Sequence, residues 1–259
     1  MTTWSEDPVP RAKVYSACTV VARPPRTVAN VNDDQPSILK TGTTTVGITF
    51  KEGVVMGTEN RATMGHFIAH KRTQKLFRID DNLGLAVAGL VGDAQLLQRY
   101  MSAEVELYKL KRGSPMTVRA ASTLMANILS GRRMYPYWVQ LLLGGVDGNG
   151  QWVYSLDAAG GSIPDEYTSG GSGSPYVFGV LEDHWKEAMN QNDAVDLVLR
   201  AITAAMKRDA ASGDGVDIAV ISKKGYQPVS EADLDKRRKA LGLSSESGSR
   251  ASKATKEEA

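Results

Sequence analysis

The sequence is poor in the residues that metal chemistry and disulfide frameworks require. Its one cysteine, Cys18, excludes an intrachain disulfide framework and a cysteine-built zinc site, and fits a reducing compartment. The three histidines, His66, His70 and His184, are too few and too scattered for a metal centre. His66 and His70 are four apart, but "MGHFIAHK" reads as strand, so the two do not share a helical face. The net charge is only +2 over 259 residues, which leaves neither a nucleic-acid footprint nor an acidic solvating tail. No uninterrupted apolar run reaches membrane-spanning length. The short apolar stretch in "RAKVYSACTVVARPP" is broken by Ser and Thr and follows the acidic "SEDP", a poor match to a secretory signal. A soluble, cytoplasmic protein is the expectation.

What is present suits one sizeable folded domain, with 42% hydrophobic and 23% charged residues. Residues 1–42 hold five of the ten prolines and no sustained periodicity, and read as a flexible leader. Residues 244–259, "SSESGSRASKATKEEA", read as a disordered polar tail. Between them "TTTVGITF", "GVVMGTEN", "KLFRID" and "DNLGLAVAGL" have the β-branched content and turn boundaries of strands. "DAQLLQRYMSAEVELYKLKR" has helical spacing, with Asp93 expected as its N-cap and "RGSP" as its stop. "MTVRAASTLMANILSGRR" repeats the pattern. Strands return in "WVQLLLGGVD" and "QWVYSLDAAG"; a Gly/Ser loop, "TSGGSGSP", leads into two more helices; "VDIAVISKKG" closes with a last strand. Sheets alternating with helix pairs in this order predict a four-layer αββα sandwich of the α+β class.

The chemistry must come from hydroxyls. A hydroxyl needs an adjacent base to become a nucleophile, and the usual base is histidine. No histidine here has a persuasive Ser or Asp setting and there is no GxSxG elbow, which argues against a conventional Ser-His-Asp hydrolase. "TGTTTVG" offers another base: a cut after Gly42 would make Thr43 residue one, with its own α-amine, of pKa about 7.7 to 8.0, beside its own hydroxyl. Glycine suits the residue before the cut because it lacks a Cβ and lets the backbone bend towards attack. Taken alone, three threonines at a strand start also read as ordinary β-formers.

The stretches "TGTTTVGI", "ENRATMGHFIAHK", "KLFRID", "AGLVGDAQ", "QLLLGGVD", "DAAGG", "GSGSP" and "RDAASGDGVDIAVI", in this order from Thr41 to about Leu243, closely resemble the archaeal-type proteasome β subunit, an N-terminal-nucleophile threonine peptidase. The resemblance implies that residues 1–42 are a propeptide removed autocatalytically and that 43–243 are the Ntn-hydrolase domain. Thr43 would be the nucleophile, Lys75 its essential lysine and Glu59 the acidic partner of that lysine. The N–H of Gly89, in a strand-to-helix turn, would be the oxyanion donor, while Gly92 beside it would serve tight packing. Ser172, Asp209 and Ser212 would orient the threonine amine. On residue types alone, Lys75 and Glu59 also fit a surface ion pair, and the last three fit caps and turns.

The same resemblance implies a pocket from Ala62, Thr73, Val87 and Val91, small or apolar and uncharged, hence a chymotrypsin-like preference for cleavage after large apolar residues. It implies heptameric rings of β subunits stacked between rings of α subunits, an ATP-dependent unfoldase that delivers unfolded proteins, and no cofactor or metal. Two rival readings are a non-catalytic ring subunit of the same fold and a nucleotide-binding module using "AGLVGDAQ" or "TSGGSGSP". Neither loop has the Lys-Ser/Thr ending that phosphate and magnesium require.

Overall fold

The computed structural model describes residues 42–243; the leader before Gly42, with Cys18, and the tail over 244–259 lie outside the described residues. The chain opens with strands β1 (Thr44–Phe50) and β2 (Gly53–Glu59), a small hairpin of β3 (Ala62–Met64) and β4 (Phe67–His70), then β5 (Leu76–Asp80) and β6 (Leu83–Gly89). Helices α1 (Val91–Arg112) and α2 (Val118–Ser130) follow, then β7 (Val139–Asp147), β8 (Gly150–Leu156), β9 (Ser162–Asp165) and β10 (Tyr167–Gly171). Helices α3 (Ser174–His184) and α4 (Gln191–Arg208), strands β11 (Val216–Ser222) and β12 (Gly225–Pro228), and α5 (Glu231–Ala240) complete it.

Two five-stranded sheets result, ordered β10-β1-β2-β11-β12 and β5-β6-β7-β8-β9. Strand alternation assigns each side chain to a layer. In β2 and β11, Val54, Met56, Ala219 and Ile221 point inward and meet Leu76, Ala86, Leu142 and Val153 of the other sheet. Their neighbours Val55, Ile218 and Val220 point outward, under Val195, Val198 and Ile202 of α4. On the opposite outer face Leu85, Leu141 and Leu143 lie under Leu97 and Met101 of α1 and Met125 of α2. The expected αββα sandwich is therefore observed, with an apolar seam between each pair of layers, and burial of each large aliphatic side chain is worth about 1.5 to 3 kcal/mol.

Local details depart from the sequence expectation. Asp93 is not the N-cap of α1: Leu90 holds that position, and Asp93 lies in the first turn, where its negative charge still favours the helix N-terminus. Thr117 does cap α2, accepting from Ala120 N, and Gly113 in the left-handed region ends α1. Of the large apolar residues in the helically spaced stretch, Tyr100 and Leu107 are half-exposed, while Leu97, Met101 and Val105 are buried. The "TSGG" stretch is not loop but the end of β10, paired with β1 from Thr44↔Gly171 to Ile48↔Tyr167. Backbone pairing supplies what its small side chains do not. Nor does the chain close at β11, since β12 pairs back along it and α5 follows.

Candidate active site

The antiparallel topology brings distant residues to one end of the sandwich. β1 begins, β2 ends and β10 ends at the same edge, and β5 begins where β6 ends. Thr43 immediately precedes β1, Glu59 is the last residue of β2, Lys75 immediately precedes β5 and Gly89 ends β6. Residues 16 apart in sequence, Glu59 and Lys75, meet there side by side.

Both are buried: Glu59 is 0% exposed, Lys75 6% and Thr43 4%. The lysine Nζ lies 2.9 Å from Thr43 Oγ1 and also contacts Glu59 Oε1 and the Arg61 carbonyl oxygen. Three partners match the three protons of an ammonium. Glu59 is equally saturated, with Oε1 accepting from Thr44 N at 3.2 Å and Oε2 from Arg61 N at 2.7 Å and Gly213 N at 3.0 Å. Burial pushes the Glu59 carboxyl up from the ordinary carboxylate range, and the lysine charge and the hydrogen bonds offset part of that rise. Burial pulls the Lys75 ammonium down in the same way, against the attraction of Glu59 and, more weakly, Asp209. Each group is thereby moved towards its neutral form.

A second network meets Thr43 from the other side. In the uncut chain its backbone N–H donates to Ser172 Oγ at 3.1 Å, and Ser172 in turn donates to Asp209 Oδ2 at 2.7 Å. Ser212 donates to the same oxygen at 2.6 Å and lies 2.7 Å from Thr44 Oγ1. Because the Ser212 proton is committed to the carboxylate, Thr44 is the donor in that contact. Asp209 occupies the C-cap of α4, and Ser172 sits between β10 and α3. These are the cap and loop positions expected from residue type, here with Ser172 turned onto Thr43, Ser212 onto Thr44 and Asp209 joining the two serines.

Gly42 is packed hard. Its N–H donates to Thr63 Oγ1 at 3.2 Å, and a Cβ there would run into the Ala211 side chain and stand 2.8 Å from Ser172 Oγ. Thr43 Oγ1 donates to the Gly42 carbonyl oxygen at 2.6 Å, so the hydroxyl is next to the one peptide bond whose cleavage would free its amine. Gly89 has φ +122°, and a Cβ on it would strike the Trp138 carbonyl oxygen; only glycine fits. Gly92 has open space where a Cβ would stand, so the tight-packing role expected of it is not what is observed.

An open pocket with about 450 Å³ of empty space adjoins Thr43. Ala62, Thr73, Val87 and Val91 all line it, together with Gly89 and Lys75. The sequence reading missed Thr63, Phe77, Ala94 and Gln95 on the same wall, and it missed Arg61, whose carbonyl meets Lys75 and whose guanidinium bonds Asp214 Oδ2 at 2.6 Å and Ala210 O at 2.9 Å. Arg61 lies inside the stretch "ENRAT" that carries the resemblance, but nothing in its residue type announces a role for its backbone. Among the described residues no group of three or more His, Cys, Asp or Glu could hold a metal ion, and no helix is long and apolar enough to cross a membrane.

The family model for the proteasome subunit matches residues 39–221. The proteasome subunit beta of Thermoplasma acidophilum is 53% identical over 206 residues, covering 79% of this chain and 97% of that protein. The proteasome subunit beta of Picrophilus torridus is 51% identical, over 80% of this chain and 98% of its own length, and that of Methanosarcina thermophila is 50% identical, over 80% and 99%. A match of this extent, on an αββα sandwich whose stretches follow the family's order, makes the chain a member of the proteasome subunit family, similar throughout its folded part to the beta subunits.

Proposed function

We propose that the chain is a catalytic β subunit, a threonine-type endopeptidase whose nucleophile is Thr43, freed when the Gly42–Thr43 bond is cut and residues 1–42 depart as a propeptide. The observation that carries this reading is the setting of Lys75: its Nζ is 2.9 Å from Thr43 Oγ1, and its two other contacts are the Glu59 carboxyl and the Arg61 carbonyl oxygen. When Lys75 is neutral its lone pair can face Thr43 Oγ1, and the hydroxyl proton, directed in the resting arrangement to the Gly42 carbonyl oxygen, can turn to it.

In the uncut chain Thr43 has no free amine, so Lys75 is the base. The hydroxyl proton passes to Nζ, Oγ1 attacks the Gly42 carbonyl carbon, and the C–N bond breaks as the Thr43 nitrogen takes up a proton. The resulting ester is hydrolysed by water, giving residues 1–42 as an acid and a chain that begins with the Thr43 amine. That amine, held by Ser172 with Asp209 and Ser212 behind it, then serves as the base for peptide substrates, directly or through a water. Oγ1 attacks the scissile carbonyl, the new N-terminal fragment of the substrate remains as an ester, the leaving amine takes a proton, and water completes hydrolysis.

The oxyanion donor is the N–H of Gly89. Val87 N donates to Lys75 O at 2.9 Å, and the two-residue alternation of a strand turns the Gly89 N–H to the same edge, past the start of β5 and towards the pocket. The pocket walls Ala62, Val87, Val91, Phe77 and Ala94 favour cleavage after large apolar residues. No cofactor is needed. The substrates are unfolded proteins, and the working particle joins these subunits with other β subunits in heptameric rings, with proteasome α subunits, and with an ATP-dependent unfoldase in the cytoplasm. A non-catalytic subunit of the same fold would have no use for a fully hydrogen-bonded, buried lysine against a threonine hydroxyl. The experiment is replacement of Thr43: Thr43→Ala should abolish both self-cleavage and peptidase activity, and Thr43→Ser should retain part of both. Self-cleavage or turnover by Thr43→Ala particles would refute the proposal.

A further inference from the structure

Gly89 is held by a closed loop of contacts that begins and ends on α1. Leu90 N donates to Trp138 O at 2.8 Å, Trp138 N donates to Asp93 Oδ2 at 2.8 Å, and Ala94 N donates to Leu90 O at 3.0 Å. Both polar groups of one residue, Trp138, are thus engaged by the strand-to-helix turn that carries Gly89. The same Trp138 carbonyl occupies the space where a Cβ on Gly89 would be. Leu90, the N-cap of α1, has no side-chain cap of its own, so the turn is not fixed by the usual local device. The carboxylate of Asp93 fixes it from outside, through the residue that precedes β7.

We infer that Asp93 is a positioning residue for the oxyanion donor: by anchoring Trp138 it sets the direction of the Gly89 N–H. This rests on the proposed role of Gly89. With the Leu90 N–H tied to Trp138 O, and Gly89 itself paired with Val139, the peptide planes on both sides of Gly89 are constrained. Glycine at φ +122° has no side chain to resist rotation, so when Asp93 no longer holds Trp138 the Leu90–Trp138 tie slackens and the direction of the donor is less sharply set. An oxyanion donor acts on charge that develops only in the transition state, and its effect decays with misalignment of about 0.5 Å or 10 to 20°. Loss of the anchor should therefore lower kcat and leave KM nearly unchanged. A merely structural Asp93, acting as a negative charge at a helix N-terminus, would affect stability and not that ratio.

The test uses assembled, matured particles made from the full chain with its partner subunits, with active sites counted by a covalent probe of Thr43. Asp93→Ala should lower kcat about tenfold, less than the 10²- to 10³-fold that follows removal of a donor itself. Affinity for a peptide aldehyde, which forms a tetrahedral adduct, should fall in parallel, while affinity for the corresponding peptide alcohol, which forms none, should hold. Asp93→Asn, which loses the charge but keeps an oxygen that accepts from Trp138 N, should stay within about threefold of the unsubstituted particle. Asp93→Ser, still polar but one atom too short to reach Trp138, should behave like Asp93→Ala. Unchanged kcat and aldehyde affinity in Asp93→Ala, or equal losses in Asp93→Asn and Asp93→Ala, would overturn the inference. So would failure of both Asp93→Ala and Asp93→Ser to assemble, which would mark a folding residue. If Thr43→Ala particles were active, the catalytic reading itself would fail, whatever the Asp93 variants did.

Discussion

Lys75 and Arg78 stand three residues apart at the start of β5, and each pairs with a carboxylate. Arg78 and Asp81 meet in solvent, with side chains 57% and 67% exposed; Lys75 and Glu59 meet with 8% and 0%. The first pair keeps most of its hydration and is worth at most about 1 kcal/mol. The second has surrendered its water, and burial is the largest influence on both of its groups. Two cation–carboxylate contacts that look alike in sequence are thus opposite in kind. The exposed one adds little to stability, whereas the buried one is costly to keep charged and is retained against a threonine hydroxyl. Burial of a charged pair against a hydroxyl is what supports the chemical role proposed for the second.

The largest contrast should come from deleting the two carboxylates. Glu59→Ala leaves Lys75 buried without its carboxylate partner and strands the N–H groups of Thr44, Arg61 and Gly213. It should destabilise the subunit by about 3 to 5 kcal/mol in denaturant unfolding and remove activity. A loss below about 1 kcal/mol would place this pair in the same class as Arg78 and Asp81.

The pH dependence of self-cleavage sharpens the same contrast. Because burial pulls the Lys75 ammonium below the ordinary lysine range, the neutral, proton-accepting form grows as pH rises through that lowered value. The rate of precursor cleavage should therefore rise with pH and reach a plateau before an unperturbed lysine would titrate. A rate that stays first order in hydroxide with no plateau would show that Lys75 is not the base.

A smaller effect is expected at the junction itself. Gly42→Ala would drive a methyl group into Ala211 and should slow maturation, measured as precursor remaining over time. Turnover per released Thr43 should be unaltered, because residue 42 has then left. Equal maturation rates for the unsubstituted and Gly42→Ala precursors would show that the junction tolerates a side chain. Smallest of all, Asp81→Ala should shift unfolding by no more than about 1 kcal/mol and leave turnover unchanged. A larger shift would erase the distinction between the two pairs.

The layer order was legible in the sequence because each strand and helix carries its own periodicity. Val54, Val55 and Met56 alternate between two apolar seams, and Leu97, Met101 and Val105 mark one helical face. Elements held by pairing and not by pattern escaped. β10 ends in "SGG" and gains its definition from β1; β12 contains Gly225 and Pro228; α5 is mostly charged, with only Leu234 buried. Helix starts were blurred for a similar reason, since the turn before α1 is fixed by Trp138 and not by a local cap. Within the site, Thr43, Glu59 and Lys75 could be named from motif resemblance, because side-chain chemistry is what such motifs preserve. The carbonyl of Arg61 and the hydroxyl of Thr63 could not, since a backbone acceptor has no residue signature and a threonine on a short strand has an ordinary explanation.

The central claim is that Lys75 acts as an exchangeable proton carrier and not only as a fixed positive charge, and Lys75→Arg tests it most directly. Arginine preserves the charge but brings a broad, planar guanidinium that stays protonated. The measurement is turnover of the precursor by assembled Lys75→Arg particles, read as the rate at which the Gly42–Thr43 bond is cut, the step in which Lys75 is the proposed base. The loss should be nearly as deep as that of Lys75→Ala. Turnover close to that of the unsubstituted particle would contradict the claim and leave the lysine a purely electrostatic part.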